Sequence, residues 1–226
     1  MFKTETHLHT FPVSSCSRKS PEEMIRLYHE AGYKTVFVSD HFAKYHFDRL
    51  PNTETLSWKE KTAMILEAYE AAKAVGDPLG MHVLFSPELS LDGNHYLLYG
   101  VDKAFMDLRE DLFTMKISEF REMALAHGVT MIEAHPYRDD KYFPTPEYVD
   151  GLEAVNANPR HENSDDKVFE LAKQYGLPVT AGSDAHRDED VGLAAMISDD
   201  PITSAEQYLD LLKRGKLHIM RNGEIL

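Results

Sequence analysis

The sequence predicts an α/β fold, with repeated βα units closing into a TIM-like barrel as one domain over residues 1–226. Three observations carry this. A unit recurs in which an amphipathic helix meets a glycine, then an apolar strand, then Asp or His. Gly32 leads through Val36, Phe37 and Val38 to Asp40-His41, Gly128 through Met131 and Ile132 to His135, and Gly176 through Val179 and Ala181 to Asp184. The strands are short and apolar throughout, as in a parallel sheet buried on both faces. At about 30 residues per βα unit, the 226 residues hold roughly seven or eight units. An open doubly wound sheet is the competing arrangement of the same elements.

The elements follow in order. A first strand is expected over 3–9. Ser20-Pro21-Glu22-Glu23 is a capping box with proline at the first helical position, and it opens a helix through about residue 31 with Met24, Ile25, Leu27 and Tyr28 on one face. Further helices are expected over 57–75, 116–127, 163–175 and 204–214. Strands are expected over 82–89, 96–101 and 152–156. Each repeat glycine sits where a helix needs a left-handed C-terminal residue.

Composition narrows the function. Asp and Glu outnumber Lys and Arg 38 to 24, for a formal charge of −14. Long nucleic acid and anionic membranes are therefore poor partners, because phosphate contacts are made by clustered Lys and Arg. One cysteine permits no internal disulfide, the opening MFKTETHLHT lacks a basic-then-apolar leader, and no apolar run reaches membrane length; a cytoplasmic location is expected. Oligomeric state is not legible. Twelve histidines beside a single cysteine raise the question of metal.

The candidate ligands lie where barrel enzymes place chemistry, at the carboxyl ends of strands. His7 and His9, two apart on a strand, point to one side. Asp40-His41, Glu88, His95, His135, Asn156 and the pair Asp184 and His186 follow in turn. So many imidazoles and carboxylates at one rim suit two or three ions such as Zn, Mn or Fe. Asp40 reads better as an acceptor that orients a neighbouring histidine than as a ligand. His29, His46, His82, His127, His161 and His218 lack strand-end placement and read as ordinary surface or core residues.

His7-x-His9-Thr10, Ser39-Asp40-His41, Glu88, His95, Ala134-His135-Pro136 and Gly182-Ser183-Asp184-Ala185-His186 resemble, in order, the motifs of the PHP (polymerase and histidinol phosphatase) superfamily. The resemblance spans His7 to His186. It implies a distorted (β/α)7 barrel and a stand-alone phosphoesterase domain. By motif, His7, His9, Glu88 and Asp184 resemble the ligands of a first metal. Glu88, His95 and His135 resemble those of a second, and His41 and His186 two ligands of a third. The loop after the first strand, where trinuclear relatives carry a further His or Asp, has neither here; Cys16 is a soft ligand in its place or an idle thiol.

The expected activity is hydrolysis of a small phosphate monoester, resembling histidinol phosphatases, by a hydroxide held between two ions. Arg160, in Asn156-Ala157-Asn158-Pro159-Arg160, resembles a phosphate-binding arginine of those enzymes; Arg18 and Arg138 are weaker candidates. His186 is a candidate proton donor to the leaving oxygen. Loops over about 42–57 and 138–148 are candidates to close over the pocket. The alternatives are a metal-dependent amidohydrolase, disfavoured by the lack of a strand-end lysine, a non-catalytic metal-stabilised PHP module, and a nuclease or nucleotide phosphatase.

Overall fold

The computed structural model describes residues 1–49, 53–138 and 142–226. Its strands are β1 (Phe2–Leu8), β2 (Tyr33–Val38), β3 (His41–Phe42), β4 (His82–Phe85), β5 (Glu88–Leu91), β6 (Asn94–Tyr99), β7 (Thr130–Ala134), β8 (Gly151–Asn156), β9 (Val179–Gly182), β10 (Ala194–Ser198), β11 (His218–Arg221) and β12 (Glu224–Ile225). The helices are α1 (Pro21–Glu30), α2 (Lys44–Phe47), α3 (Trp58–Gly76), α4 (Lys103–Met106), α5 (Ile117–Ala126), α6 (Asp165–Tyr175) and α7 (Ala205–Lys213).

The helix starts obey local chemistry. Ser20 and Glu23 exchange hydrogen bonds at the head of α1, and at α3 the Glu60 carboxylate reaches back to the Ser57 N–H at 2.7 Å. Gly32, Gly128 and Gly176 all adopt positive φ, at 78°, 70° and 67°. This is the left-handed stop that the repeat implies.

The sheets differ from the expectation. The ladders form two six-stranded sheets, β12-β11-β10-β1-β2-β4 and β3-β5-β6-β7-β8-β9, with parallel and antiparallel pairs mixed. The expected strand over 82–89 is two strands in different sheets. It breaks at Ser86-Pro87, where proline has no N–H to give a ladder. Asp92 and Gly93, both at positive φ, then close a tight hairpin between β5 and β6. Asn222-Gly223 does the same between β11 and β12. Because β6 runs antiparallel to β7, its first residues lie at the same rim as the end of β7, and His95 pairs with Ala134 across the ladder.

The sheets meet where Leu8 bridges Ala185, and the chain crosses between them from β2 to β3 and from β4 to β5. Apolar clusters pack the helices onto the sheets; in one of them Tyr99 and Tyr208 stack and Phe37 meets Tyr99 edge-on. Among the described residues no helix is long and apolar enough to cross a membrane.

Candidate metal centre

The rim residues converge. Glu88 opens β5 with no solvent exposure, and five imidazoles surround its carboxylate: His41 at 2.6 Å, His95 and His135 at 3.0 Å, His7 at 3.4 Å and His9 at 3.7 Å. His7 and His9 leave the end of β1 on one side, with their Nε2 atoms 3.0 Å apart. Asp184 Oδ1 lies 3.2 Å from His9 Nε2, 3.6 Å from His7 Nε2 and 3.5 Å from His186 Nδ1. His135 and Asp184 both hold positive φ, at 34° and 49°. Such backbone is uncommon outside glycine and clusters at functional sites.

Buried carboxylates set the ring orientations. His7 Nδ1 lies 2.9 Å from Glu153 Oε1, and Glu153 also accepts from the His135 N–H and from Asn156. Ser14 gives its hydroxyl proton to Asp40 at 2.7 Å and so accepts from His9 Nδ1 at 3.2 Å. Asp40 takes two further hydrogen bonds from Thr10, and thus holds the loop after β1. Both Nδ1 atoms are committed, so the Nε2 lone pairs of His7 and His9 face each other and require a proton or a cation between them.

The charges agree. Burial opposes ionisation of Glu88, but His95 and His41 outweigh it and hold the carboxylate well below its usual range. Burial likewise opposes Asp184, and His7 and Arg138 outweigh it. Burial, then His41 and His186, keep His9 neutral; burial and Arg138 push His135 down to about 4. At His7 burial is overcome by Glu153 and Asp184, and at His41 by Glu88, so both rise. Neutral imidazole and ionised carboxylate are the forms that ligate metal; Glu88, Asp184, His9 and His135 stand in them already, while His7 and His41 must release a proton when an ion binds.

The donor spacing fits divalent ions. Nitrogen and oxygen ligands at about 2.1 Å from one ion sit roughly 3.0–3.4 Å from each other in octahedral or tetrahedral geometry. The distances among His7, His9 and Asp184, and from Glu88 to His95 and His135, span 3.0 to 3.6 Å. Groups able to hold an ion include His7, His9 and Glu88, then His7, His135 and Asp184, then Glu88, His95 and His135, then His9, His41 and His186. His41 Nδ1 and Glu88 Oε2 approach to 2.6 Å, yet neither has a hydrogen-bond partner among the described residues.

His41, Glu88, His95, His135, Asp184 and His186 line a cavity of about 1150 Å³ whose wall also includes Cys16, His46, Tyr45, Arg49, Arg138 and His161. Of the three arginines weighed from sequence, Arg138 faces the cluster. It donates to Asp184 Oδ2 at 2.7 Å and to Asn156 Oδ1 at 2.6 Å. Arg160 is absent from the cavity lining among the described residues. Its guanidinium forms a two-pronged pair with buried Asp190, at 2.7 and 2.5 Å. Asp190 also accepts from the His186 N–H at 2.8 Å, so Arg160 braces the His186 loop. Arg18 is exposed and its backbone N–H donates to the His186 carbonyl. Of the two loops expected to close over the pocket, the first contains α2, whose His46 lines the cavity, and the second supplies Tyr142. Residues 50–52 and 139–141 lie outside the described residues.

Sequence reasoning missed Glu153 and His46. An acid inside the apolar run of β8 was the available signal for Glu153. His46 belongs to the short α2 and has no strand-end position; only the fold stacks it on His41, with ring centroids 4.1 Å apart.

A family model described as PHP-associated matches residues 162–217, from before α6 to beyond α7. No protein of curated function matches the sequence. Among solved structures, a two-domain protein of Bacteroides vulgatus containing a predicted PHP-like metal-dependent phosphoesterase is similar over 99% of this chain, with TM-score 0.68 and 14% identity. This chain spans 66% of that protein. A lesion-specific endonuclease of Pyrococcus furiosus is similar over 97% of this chain and 57% of its own, with TM-score 0.63 and 16% identity. An amidohydrolase of Chromobacterium violaceum with bound sulfate is similar over 98% of each chain, with TM-score 0.54 and 15% identity. The family match is confined to residues 162–217, and the solved structures, at 14–16% identity, show a shared fold.

Proposed function

We propose that this chain hydrolyses small phosphate monoesters with the help of divalent metal ions. The supporting observation is Arg138: a guanidinium set among the clustered donors on the cavity wall, with its Nε buried and without a hydrogen-bond partner among the described residues. That is a ready partner for the non-bridging oxygens of a phosphoryl group. An amide substrate presents no such oxygens. In this reading the two sheets are the sides of a distorted (β/α)7 barrel, with Leu8–Ala185 on one seam and the β2-to-β3 and β4-to-β5 crossings on the other.

His7, His9, Glu88 and Asp184 would hold one ion, and Glu88, His95 and His135 a second. Ions there supply charge neutralisation at the phosphoryl group and bring water within reach of ionisation near neutral pH. The chain's own residues do the rest. Arg138 binds and orients the phosphoryl oxygens. Glu153 and Ser14 fix the rings of His7 and His9. His186 is held above its ordinary pKa, since Cys16 and Asp184 outweigh the opposing burial, and so carries a proton for the leaving oxygen. The formal charge of −14 argues against long nucleic acid as substrate.

The test is a phosphate-release panel with Mn, Zn and Fe over sugar, amino-alcohol, tyrosyl and nucleotide monophosphates. Release that disappears in His9→Ala and falls in Arg138→Met is expected. Amide hydrolysis without phosphate release supports the amidohydrolase reading instead, and cleavage of damaged DNA supports an endonuclease.

A further inference from the structure

We propose that Glu5 is a positioning residue of the rim: its buried carboxylate ties the strand end that carries His7 and His9 to the turn that carries Asp184, and so sets how closely those side chains approach. The inference rests on the reading of the rim as a metal centre, and the experiment below tells the failure of one from the failure of the other.

The end of β1 does not run in simple register with β2. Glu5 stands opposite Val36 and Leu8 opposite Val38, so β1 spends one residue more than β2 over the same length. An extra residue of this kind bends a strand and re-aims its side chains. The bend falls on Thr6 and His7, and both of their N–H groups donate to Glu5 Oε1 at 2.9 Å. The bent backbone is thus held by a side-chain acceptor built into the strand itself.

The same oxygen accepts from the Ser183 N–H, again at 2.9 Å. Ser183 directly precedes Asp184, whose φ of 49° is uncommon outside glycine and needs support from its surroundings. Two backbone bonds lace the same segments further along: the Ala185 N–H donates to the His7 carbonyl at 3.3 Å, and the His9 N–H to the Ala185 carbonyl at 2.9 Å. Glu5 closes this lacing from below. Because His7 and Ser183 share one acceptor atom, their nitrogens can stand no more than roughly 6 Å apart. The outcome is read at the rim, where Asp184 Oδ1 lies 3.6 Å from His7 Nε2 and 3.2 Å from His9 Nε2. The second Glu5 oxygen accepts from the Tyr28 hydroxyl of α1 at 2.8 Å, which fixes the plane of the carboxylate. Glu5 and Tyr28 have no solvent exposure, so water does not compete for these bonds. The division of labour is clear: Glu153 aims the His7 ring, whereas Glu5 places the His7 backbone against that of Ser183.

The experiment titrates the chelator-stripped full chain with Mn(II) and with Zn(II) against a chromophoric chelator, at a temperature where circular dichroism shows each variant folded. Glu5→Gln keeps an oxygen at the same reach and binds metal like wild type. Glu5→Asn offers the same amide one methylene short and binds about 10–100-fold more weakly. Tyr28→Phe removes only the bond to the second oxygen; its Tm falls while its metal affinity stays. Hydrogen exchange on the metal-free chain reads the contacts directly: the His7 and Ser183 amides exchange faster in Glu5→Asn and keep their protection in Glu5→Gln. Wild-type affinity in Glu5→Asn overturns the proposal, as does an affinity that falls with Tm in Tyr28→Phe, which would make Glu5 a stabilising residue only. Loss of affinity in Glu5→Gln also overturns it, and decides the matter should Glu5→Asn not fold. No metal uptake by wild type overturns the metal-centre reading and this inference with it.

Discussion

Gly182 ends β9 directly behind the rim, and replacing it by alanine tests how tightly the site is built. A Cβ there would stand 2.5 Å from His7 Cβ, 2.7 Å from Glu153 Oε1 and 3.1 Å from Thr6 Oγ1. The first two distances are below any real contact, and neither neighbour is a free surface side chain: His7 and Glu153 are both buried and bonded to each other at 2.9 Å. Overpacking of a tight core costs about 1–3 kcal/mol, and weakening a hydrogen bond to a charged group adds roughly 1.5–3 kcal/mol. For a chain of this size each kcal/mol lowers Tm by about 2–4 °C. Gly182→Ala should therefore melt about 5–24 °C below wild type. Because Glu153 aims the His7 ring, metal affinity should also fall about 10–100-fold, measured by competition with a chromophoric chelator. A variant that melts within 2 °C of wild type and binds metal equally would show that the His7–Glu153 contact does not position the site.

Further outcomes follow from other residues. Burial raises Glu133 to about 7; the folded state then keeps a proton that the unfolded state releases above pH 4.5, so stability falls between about pH 4.5 and 7 by up to ~3 kcal/mol. Glu133→Gln should flatten that decline in denaturant unfolding, and an unchanged profile would count against it. Arg138→Met should lower kcat/KM by about 10²–10³-fold at unchanged metal content; wild-type kinetics would remove Arg138 from the phosphate. In Arg160→Ala, Asp190 keeps the His186 and Arg187 N–H donors, so the loss is about 1–2 kcal/mol, read as a lower Tm. A raised KM with no change in melting would instead put Arg160 on the substrate.

Much of the frame was legible because it is local. Gly32, Gly128 and Gly176 mark helix stops through backbone conformation alone, and the capping box of Ser20 and Glu23 needs no tertiary partner. The rim residues could be read because a strand end fixes where a side chain lies. Pairing direction was not legible in the same way. The Asp92-Gly93 and Asn222-Gly223 hairpins are short-range signals, yet the apolar runs on either side read equally well as parallel strands. Arg160 shows the limit at side-chain level: its loop sequence suits an anion, but which anion depends on Asp190, thirty residues on in the chain. His46 is further still from sequence, since its place follows only from the turn of α2 back over His41.

Glu88 sits immediately after Pro87, where the chain passes from β4 in one sheet to β5 in the other. His7 and His9 reach it from the first sheet, while His41, His95 and His135 come from the second. Neither sheet alone contains the cluster. The rim is thus a built-in reporter of docking between the two halves: any partial opening along that junction dismantles it before either sheet has lost its own ladder. Loss of function on heating should accordingly precede loss of secondary structure, and whatever ligand bridges the cluster should act as a clasp on the whole fold.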